Sequence, residues 1–388
     1  MTKPLSTLLP KNAYIHIDKI HVKGPCRHKP IGKVYFGHDE DFGYVPAGSR
    51  LTKKQLKKGA DSAFVKSKKI EDDGLAYELE IHCCPPKVLQ KHNVFGHSSL
   101  VDYAYAVFDH VARAFGLDVD PVDREEWRAG NFWLTEVHVT GNFGCLSRDV
   151  IPVIDAIDEN NPEGKQRNLK TSITLGFTGK RRSKHQMVTF YYKPDELMGE
   201  WKNPGQFQTM LLETTKDSIR GEIKFYSMGL KALDLQYGAK WLDADVATLF
   251  FDGLEKYKVK YAIQPLLTAE VLAVLSKAEL NVYQLWLHGK AVADQFRSRK
   301  SAWKYIKVIK EKTGFDMSGA RRPDLLPTIN LADIFSPANV LPIPDRLIVT
   351  DHYFPPKQMD LPRTRFKNGM GGAPLDPNAD QGDEGATA

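Results

Sequence analysis

Period-two alternation constrains this chain more than any other feature. In LAYELEIHCC, residues 75–84, Tyr77, Leu79, Ile81 and Cys83 fall on one face, and Glu78, Glu80 and His82 on the other. FWLTEVHVTGNF repeats the pattern, with Thr135, Val137 and Val139 opposed to Glu136, His138 and Thr140. SIRGEIKFY sets Ile219, Ile223 and Phe225 against Arg220, Glu222 and Lys224. Successive side chains of a strand leave opposite faces, so these are half-buried strands of an antiparallel sheet. Weaker strands are expected at 13–22, 170–177 and 187–193. Between them lie helical stretches, the clearest opened by Ser99 and Asp102 as a capping box. It carries Leu100, Ala104, Val107, Phe108 and Val111, and closes at Gly116. The order β-α-β-α-β-β-β predicts an α+β fold, a mostly antiparallel sheet with helices on one face.

Residues 51–69 read as a basic linker, with seven lysines from Lys53 to Lys69. From about Asp243 the spacing turns helical, in LTAEVLAVLSKAEL and in RSRKSAWKYIKVIKEKTG, predicting a smaller helical domain over 245–320 after a first domain over 1–240. Arg297, Arg299, Lys300 and Lys304 give the helical part a basic flank that suits DNA. Beyond Asp351 the chain is rich in Pro, Gly and Asp without apolar periodicity, and 351–388 is expected to be a disordered tail.

The 388 residues suffice for one large or two medium domains. No apolar stretch approaches the roughly 18 residues of a membrane span, and the N-terminus lacks the apolar core of a secretory signal. Cys26, Cys83, Cys84 and Cys145 are too few for a disulfide scaffold and lack CxxC spacing, which points to reduced thiols in a cytoplasmic protein. The net charge of +6 is compatible with a polyanionic partner without establishing one. No P-loop, GxGxxG, HExxH or GxSxG sequence occurs, which removes the usual support for ATP- or NAD-driven chemistry, a zinc protease or an α/β hydrolase.

Glu136 and His138 stand two apart on one strand, so they share a face and can share a divalent ion. A carboxylate with an imidazole suits Mg²⁺ or Mn²⁺. The same pair also fits an ordinary exposed strand face. Tyr191 shares a face with Thr189 and Lys193, whereas Tyr192 points the other way and reads as core. A phenol is a poor nucleophile near neutral pH, and an ammonium such as Lys193 would favour its phenolate. Lys180, Arg181, Arg182 and Lys184 crowd the turn before Tyr191; they read either as a solvated run or as phosphate contacts.

The run PPKVLQKHNVFG, residues 85–96, resembles the signature of filamentous-phage replication initiators, the gene-II-type nicking and closing proteins. LTEVHVT, VTFYYKPDEL and SIRGEIKF are similar to that family's later segments, in its order. Together they place Tyr191, Lys193, Glu196, Arg220 and Glu222 on matching positions, and the similarity covers about 75–233. Glu136 and His138 stand where relatives carry an Arg-x-Asp type pair. The resemblance implies rolling-circle replication on an antiparallel palm of the HUH-nickase type. In that scheme Tyr191 and Lys193 are catalytic, and Glu136, His138 and Glu222 hold Mg²⁺ or Mn²⁺. Tyr191 nicks one strand of supercoiled phage origin DNA, stays on the 5′ phosphate, and the strand is later resealed. Single-stranded DNA, a host helicase and a polymerase are the implied partners. Two other readings stay open: a DNA-binding copy-control protein without catalysis, and a metal nuclease using water. His92 and Asn93 sit in the most specific run without an assigned role.

Overall fold

The computed structural model describes residues 4–31, 48–50, 63–161, 164–179, 181–257, 259, 269–287, 292, 296, 298–314, 317 and 330–355. In chain order its strands are β1 (His16–His28), β2 (Gly48–Arg50), β3 (Phe64–Ile70), β4 (Ala76–Cys83) and β5 (Trp133–Gly144). There follow β6 (Lys165–Leu169), β7 (Ser172–Leu175), β8 (Phe177–Thr178), β9 (Arg181–Arg182), β10 (Gln186–Tyr191) and β11 (Ser218–Tyr226). Nine of these form one sheet in the order β2-β3-β4-β1-β5-β11-β10-β7-β6, with every pairing antiparallel; β8 and β9 make a separate short ribbon. The fold is α+β, built on a large antiparallel sheet.

The helices of this body are α1 (Pro85–Gln90), α2 (Leu100–Phe115), α3 (Pro121–Ala129), α4 (Val150–Asn160), α5 (Lys193–Glu200), α6 (Gln206–Thr215), α7 (Ser227–Ala232) and α8 (Val246–Glu255). In α2 the Ser99 hydroxyl accepts from the Asp102 amide, and Gly116 ends the helix with φ +63°. One sheet face carries Ile20 and Val22 of β1, Val137 and Val139 of β5, Ile223 of β11 and Phe190 of β10, all fully buried. Residues from α2, α3, α4, α7 and α8 join them in a single apolar core. Phe108 of α2 comes so close that a Cβ on Gly24 would lie 2.7 Å from its ring, and Trp127 of α3 stacks on that ring at 4.9 Å. Glycine at 24 is what lets α2 seat on β1.

Two segments differ from their sequence reading. Residues 64–70 form β3, not linker: Val65 and Ser67 are buried, while Lys66, Lys68 and Phe64 stand opposite Glu80, Glu78 and His82 of β4. Lysines obscured that alternation because the exposed face of β3 pairs with acidic residues. Residues 330–355 also fold back. Phe335, beyond α12 (Leu331–Ile334), is fully buried, with its ring 5.2 Å from Phe143 and 4.8 Å from Phe190. Val340 and Pro342 bridge to Phe143 and Ala13, and Leu347, in α13 (Asp345–Ile348), joins Val94, Phe95 and Leu197 in a second cluster. Tyr353, inside the expected tail, is buried there too; 356–388 lie outside the described residues.

A third apolar cluster unites α10 (Lys277–Leu287) with α11 (Arg299–Thr313) through Val282, Tyr283, Ala302, Ile306 and Ile309. The short α9 (Ala269–Leu272) precedes them. By contrast α8 contributes Phe250 and Phe251 to the sheet core. Cys26, Cys83, Cys84 and Cys145 are all buried, and none is in a disulfide. Among the described residues no helix is long and apolar enough to cross a membrane.

Candidate functional site

The other face of the sheet is polar, and strand register sets its order. Across β1, β5, β11 and β10, Lys19 stands opposite His138, His138 opposite Lys224, Glu222 opposite both Thr140 and Thr189, and Arg220 opposite Tyr191. Continuing the phase of Ile20 and Val22 back would turn Asp18 toward the core, whereas the phase of Ile15 and Ile17 turns it, with His16, to the polar face. A bulge between Ile17 and Lys19 inserts it as the extra residue, and bulges re-aim side chains in this way.

Asp18, His138 and Glu222 converge: one ligand atom from each lies within 4.8 Å of the others, and all three residues are buried. His138 Nδ1 is 2.6 Å from Glu222 Oε1, and its Nε2 is 2.6 Å from Glu136 Oε1. Burial pushes the imidazole toward its neutral form, but the hydrogen bonds to Glu136 and Glu222 outweigh it, so its pKa is raised. Burial also opposes the charge on Glu136, yet the His138 hydrogen bond holds that carboxyl down at about 2; Glu222 is held low in the same way. Two carboxylates and an imidazole form a donor set that suits Mg²⁺ or Mn²⁺. The expected trio of Glu136, His138 and Glu222 is thus one contiguous group, but the third residue whose donor atom converges with those of His138 and Glu222 is Asp18, with Glu136 behind the imidazole. Sequence reasoning misses Asp18 because the bulge breaks the alternation between Ile17 and Ile20, although the His16–Asp18 phase could have found it.

Tyr191 ends β10 on this face, diagonal to Glu222. Burial raises its phenol well above the ordinary value, and Arg220 is the chief charge opposing that rise. The expectation that Lys193 would supply this effect needs revision. The strand stops at Tyr191 and Lys193 opens α5, fully buried, with Nζ 5.8 Å from the centre of the Tyr191 ring. Its ammonium donates to Asn93 Oδ1 and pairs with Glu196 Oε1, both at 2.9 Å. Burial, then Arg220, lowers the Lys193 pKa. Tyr192 packs partly against the core, as its phase predicted, and its hydroxyl donates to the Lys216 carbonyl at 2.8 Å.

Arg220 is the hub. Fully buried, it donates through Nε to Thr140 Oγ1 (2.9 Å), through Nη1 to the Asn93 carbonyl (2.6 Å) and through Nη2 to Asp18 Oδ1 (3.0 Å). The segment after α1 closes over this end of the face. Asn142 Nδ2 donates to the Val94 carbonyl at 2.7 Å, and a Cβ on Gly96 would lie 2.7 Å from Tyr103 Oη and 3.1 Å from His16. His92 Nε2 donates to the His352 carbonyl at 2.8 Å, and its Nδ1 accepts from the Val94 amide. Arg181, Arg182 and Lys184 are exposed at the opposite end of β10 from Tyr191; Lys180 lies outside the described residues. Lys300 and Lys304 are exposed on α11; Arg297 and the Arg299 side chain lie outside the described residues.

Residues 17–244 match the family described as the N-terminal region of the phage gene-II-type replication-associated protein. The replication-associated protein of that type from Enterobacteria phage I2-2 is 25% identical over 305 residues, covering 76% of this chain and 86% of that protein.

Proposed function

Since the chain belongs to this gene-II-type family of phage replication-associated proteins, we propose that it initiates rolling-circle replication by cutting and rejoining one DNA strand through Tyr191. The observation that carries this reading is the juxtaposition on one sheet face of Tyr191, Arg220 and the Asp18–His138–Glu222 group. On this reading, the antiparallel face with a tyrosine beside carboxylates and an imidazole would serve as a palm of the HUH type. Asp18, His138 and Glu222 would hold Mg²⁺ or Mn²⁺, with Glu136 orienting the imidazole. Bound there, the ion supplies Lewis acidity and neutralises charge at a scissile phosphate.

The chain's own groups do the remaining work. Arg220 lowers the cost of forming the Tyr191 phenolate against its burial. The Tyr191 oxygen bonds to phosphorus as the bond to the 3′ oxygen breaks, and the 3′ oxygen takes up a proton. The phosphotyrosine keeps the ester energy, so attack by a 3′-hydroxyl reseals DNA without ATP. The exposed Arg181, Arg182 and Lys184 suit phosphates of origin DNA, supercoiled before cutting and single-stranded after it. A host helicase and polymerase would extend the freed end in the host cytoplasm.

The experiment is incubation of the protein with a 3′-labelled single-stranded origin oligonucleotide and Mn²⁺, followed by a denaturing gel. The label should migrate with protein and stay free in EDTA. Cut but unattached DNA would favour a water-using nuclease. Binding without cutting would favour a copy-control role.

A further inference from the structure

The most distinctive stretch of the sequence, residues 85–96, has no chemical part in the reading above, yet Asn93 within it reaches the centre of the site. Asn93 is buried, and its side chain makes two contacts of opposite polarity. Nδ2 donates to Asp18 Oδ1 at 2.9 Å, and Oδ1 accepts from Lys193 Nζ at 2.9 Å. Its backbone carbonyl is fixed independently by Arg220 Nη1 at 2.6 Å. A carboxamide accepts from the ammonium through one atom and donates to the carboxylate through another; Asp lacks the donor and Leu lacks both groups.

Asp18 shows what this achieves. Its hydrogen bonds to described side chains all end on Oδ1, from Asn93 Nδ2, from Arg220 Nη2 at 3.0 Å and from Cys84 Sγ at 3.7 Å. Three donors on one oxygen fix the carboxylate's rotation and turn the second oxygen to other use. Asp18 sits on a bulge, where the backbone alone specifies side-chain direction less strictly than a regular ladder does. We propose that Asn93 is a positioning residue, setting the Asp18 carboxylate for a divalent cation while holding the Lys193 ammonium inside the site. The proposal rests on the assignment of Asp18, His138 and Glu222 as the cation site. Partners of ligating carboxylates act this way generally, and their loss typically weakens metal affinity 10- to 100-fold, as an order of magnitude.

The test uses the full chain stripped of metal, without DNA, titrated with Mn²⁺ while free ion is followed by electron paramagnetic resonance. Asn93→Ala should weaken Mn²⁺ binding by about 10- to 100-fold. Asn93→Ser, which keeps a small polar group and guards against a misfolded alanine variant, should weaken it less. His92→Ala alters the same loop without touching Asp18; it should lower the melting temperature in EDTA and leave Mn²⁺ affinity unchanged. Wild-type affinity in both Asn93 variants would overturn the proposal while leaving the cation site standing. Failure of the wild type to bind Mn²⁺, or undiminished binding by Asp18→Ala, would overturn the cation site and this inference with it.

Discussion

Tyr191 and Tyr192 are chemically identical neighbours with opposite surroundings. The first stands on the polar face opposite Arg220; the second leans on the core and donates to the Lys216 carbonyl. Tyr191→Phe is therefore expected to abolish the covalent adduct while leaving oligonucleotide affinity within about twofold. Tyr192→Phe should keep the adduct and cost at most about 1 kcal/mol in chemical denaturation, the usual worth of one hydrogen bond. Strand phase made this distinction legible from sequence. It left Asp18 ambiguous, because one inserted residue reverses the phase of β1 beside it, and it did not show Arg220 as the cation facing the phenol, because that depends on the register of β10 against β11. Asp18 and Glu136 should separate on titration with Mn²⁺. Asp18→Asn is expected to lose more affinity than Glu136→Gln, whose loss should stay within about 10- to 100-fold for a group behind the ligand. The reverse order would return Glu136 to direct ligation.

At the scale of elements, the sheet is half hidden in its own charge pattern. β3 places Lys66 and Lys68 opposite Glu80 and Glu78, and Glu80 also meets His21 Nε2 at 2.6 Å. The His21 hydrogen bond holds the Glu80 carboxyl down at about 2 from an ordinary 4.5, although burial opposes it. A depressed carboxylate stabilises the fold fully above the unfolded value and loses that contribution as pH falls through the folded one. Melting temperatures of wild type and Glu80→Gln should thus differ above about pH 5 and converge toward pH 2. The β8–β9 ribbon and α11 offer the basic surfaces. On α11, Lys300, Trp303, Lys304 and Lys307 recur at helical spacing on the side away from buried Ala302, Ile306 and Ile309, and Trp303 is 59% exposed. Replacing Arg181, Arg182 and Lys184 by Ala should flatten the salt dependence of duplex binding, by up to about 0.9 in log–log slope for each phosphate no longer neutralised. An unchanged slope would leave that run as solvated surface.

At the scale of the whole molecule, the described C-terminal segment is part of the body that carries the site. Phe335 wedges between Phe143 and Phe190, and the His352 carbonyl receives His92, so the last described residues brace both the sheet core and the loop over Asp18. Alternation and the α2 caps revealed the sheet and its main helix; this return did not show, since 330–355 contribute single anchors without a repeating pattern. Phe335→Ala should cost about 3 to 5 kcal/mol in chemical denaturation, as for a large aromatic removed from a core. The proposed function turns on one covalent bond. Wild-type protein and origin oligonucleotide should be incubated with Mn²⁺, the adduct digested with protease, and the nucleotide-bearing peptide sequenced by mass spectrometry. A 5′-phosphonucleotide is expected on Tyr191 alone; comparable labelling of Tyr192, or a nucleotide on another residue with Tyr191 bare, would contradict the Tyr191 mechanism.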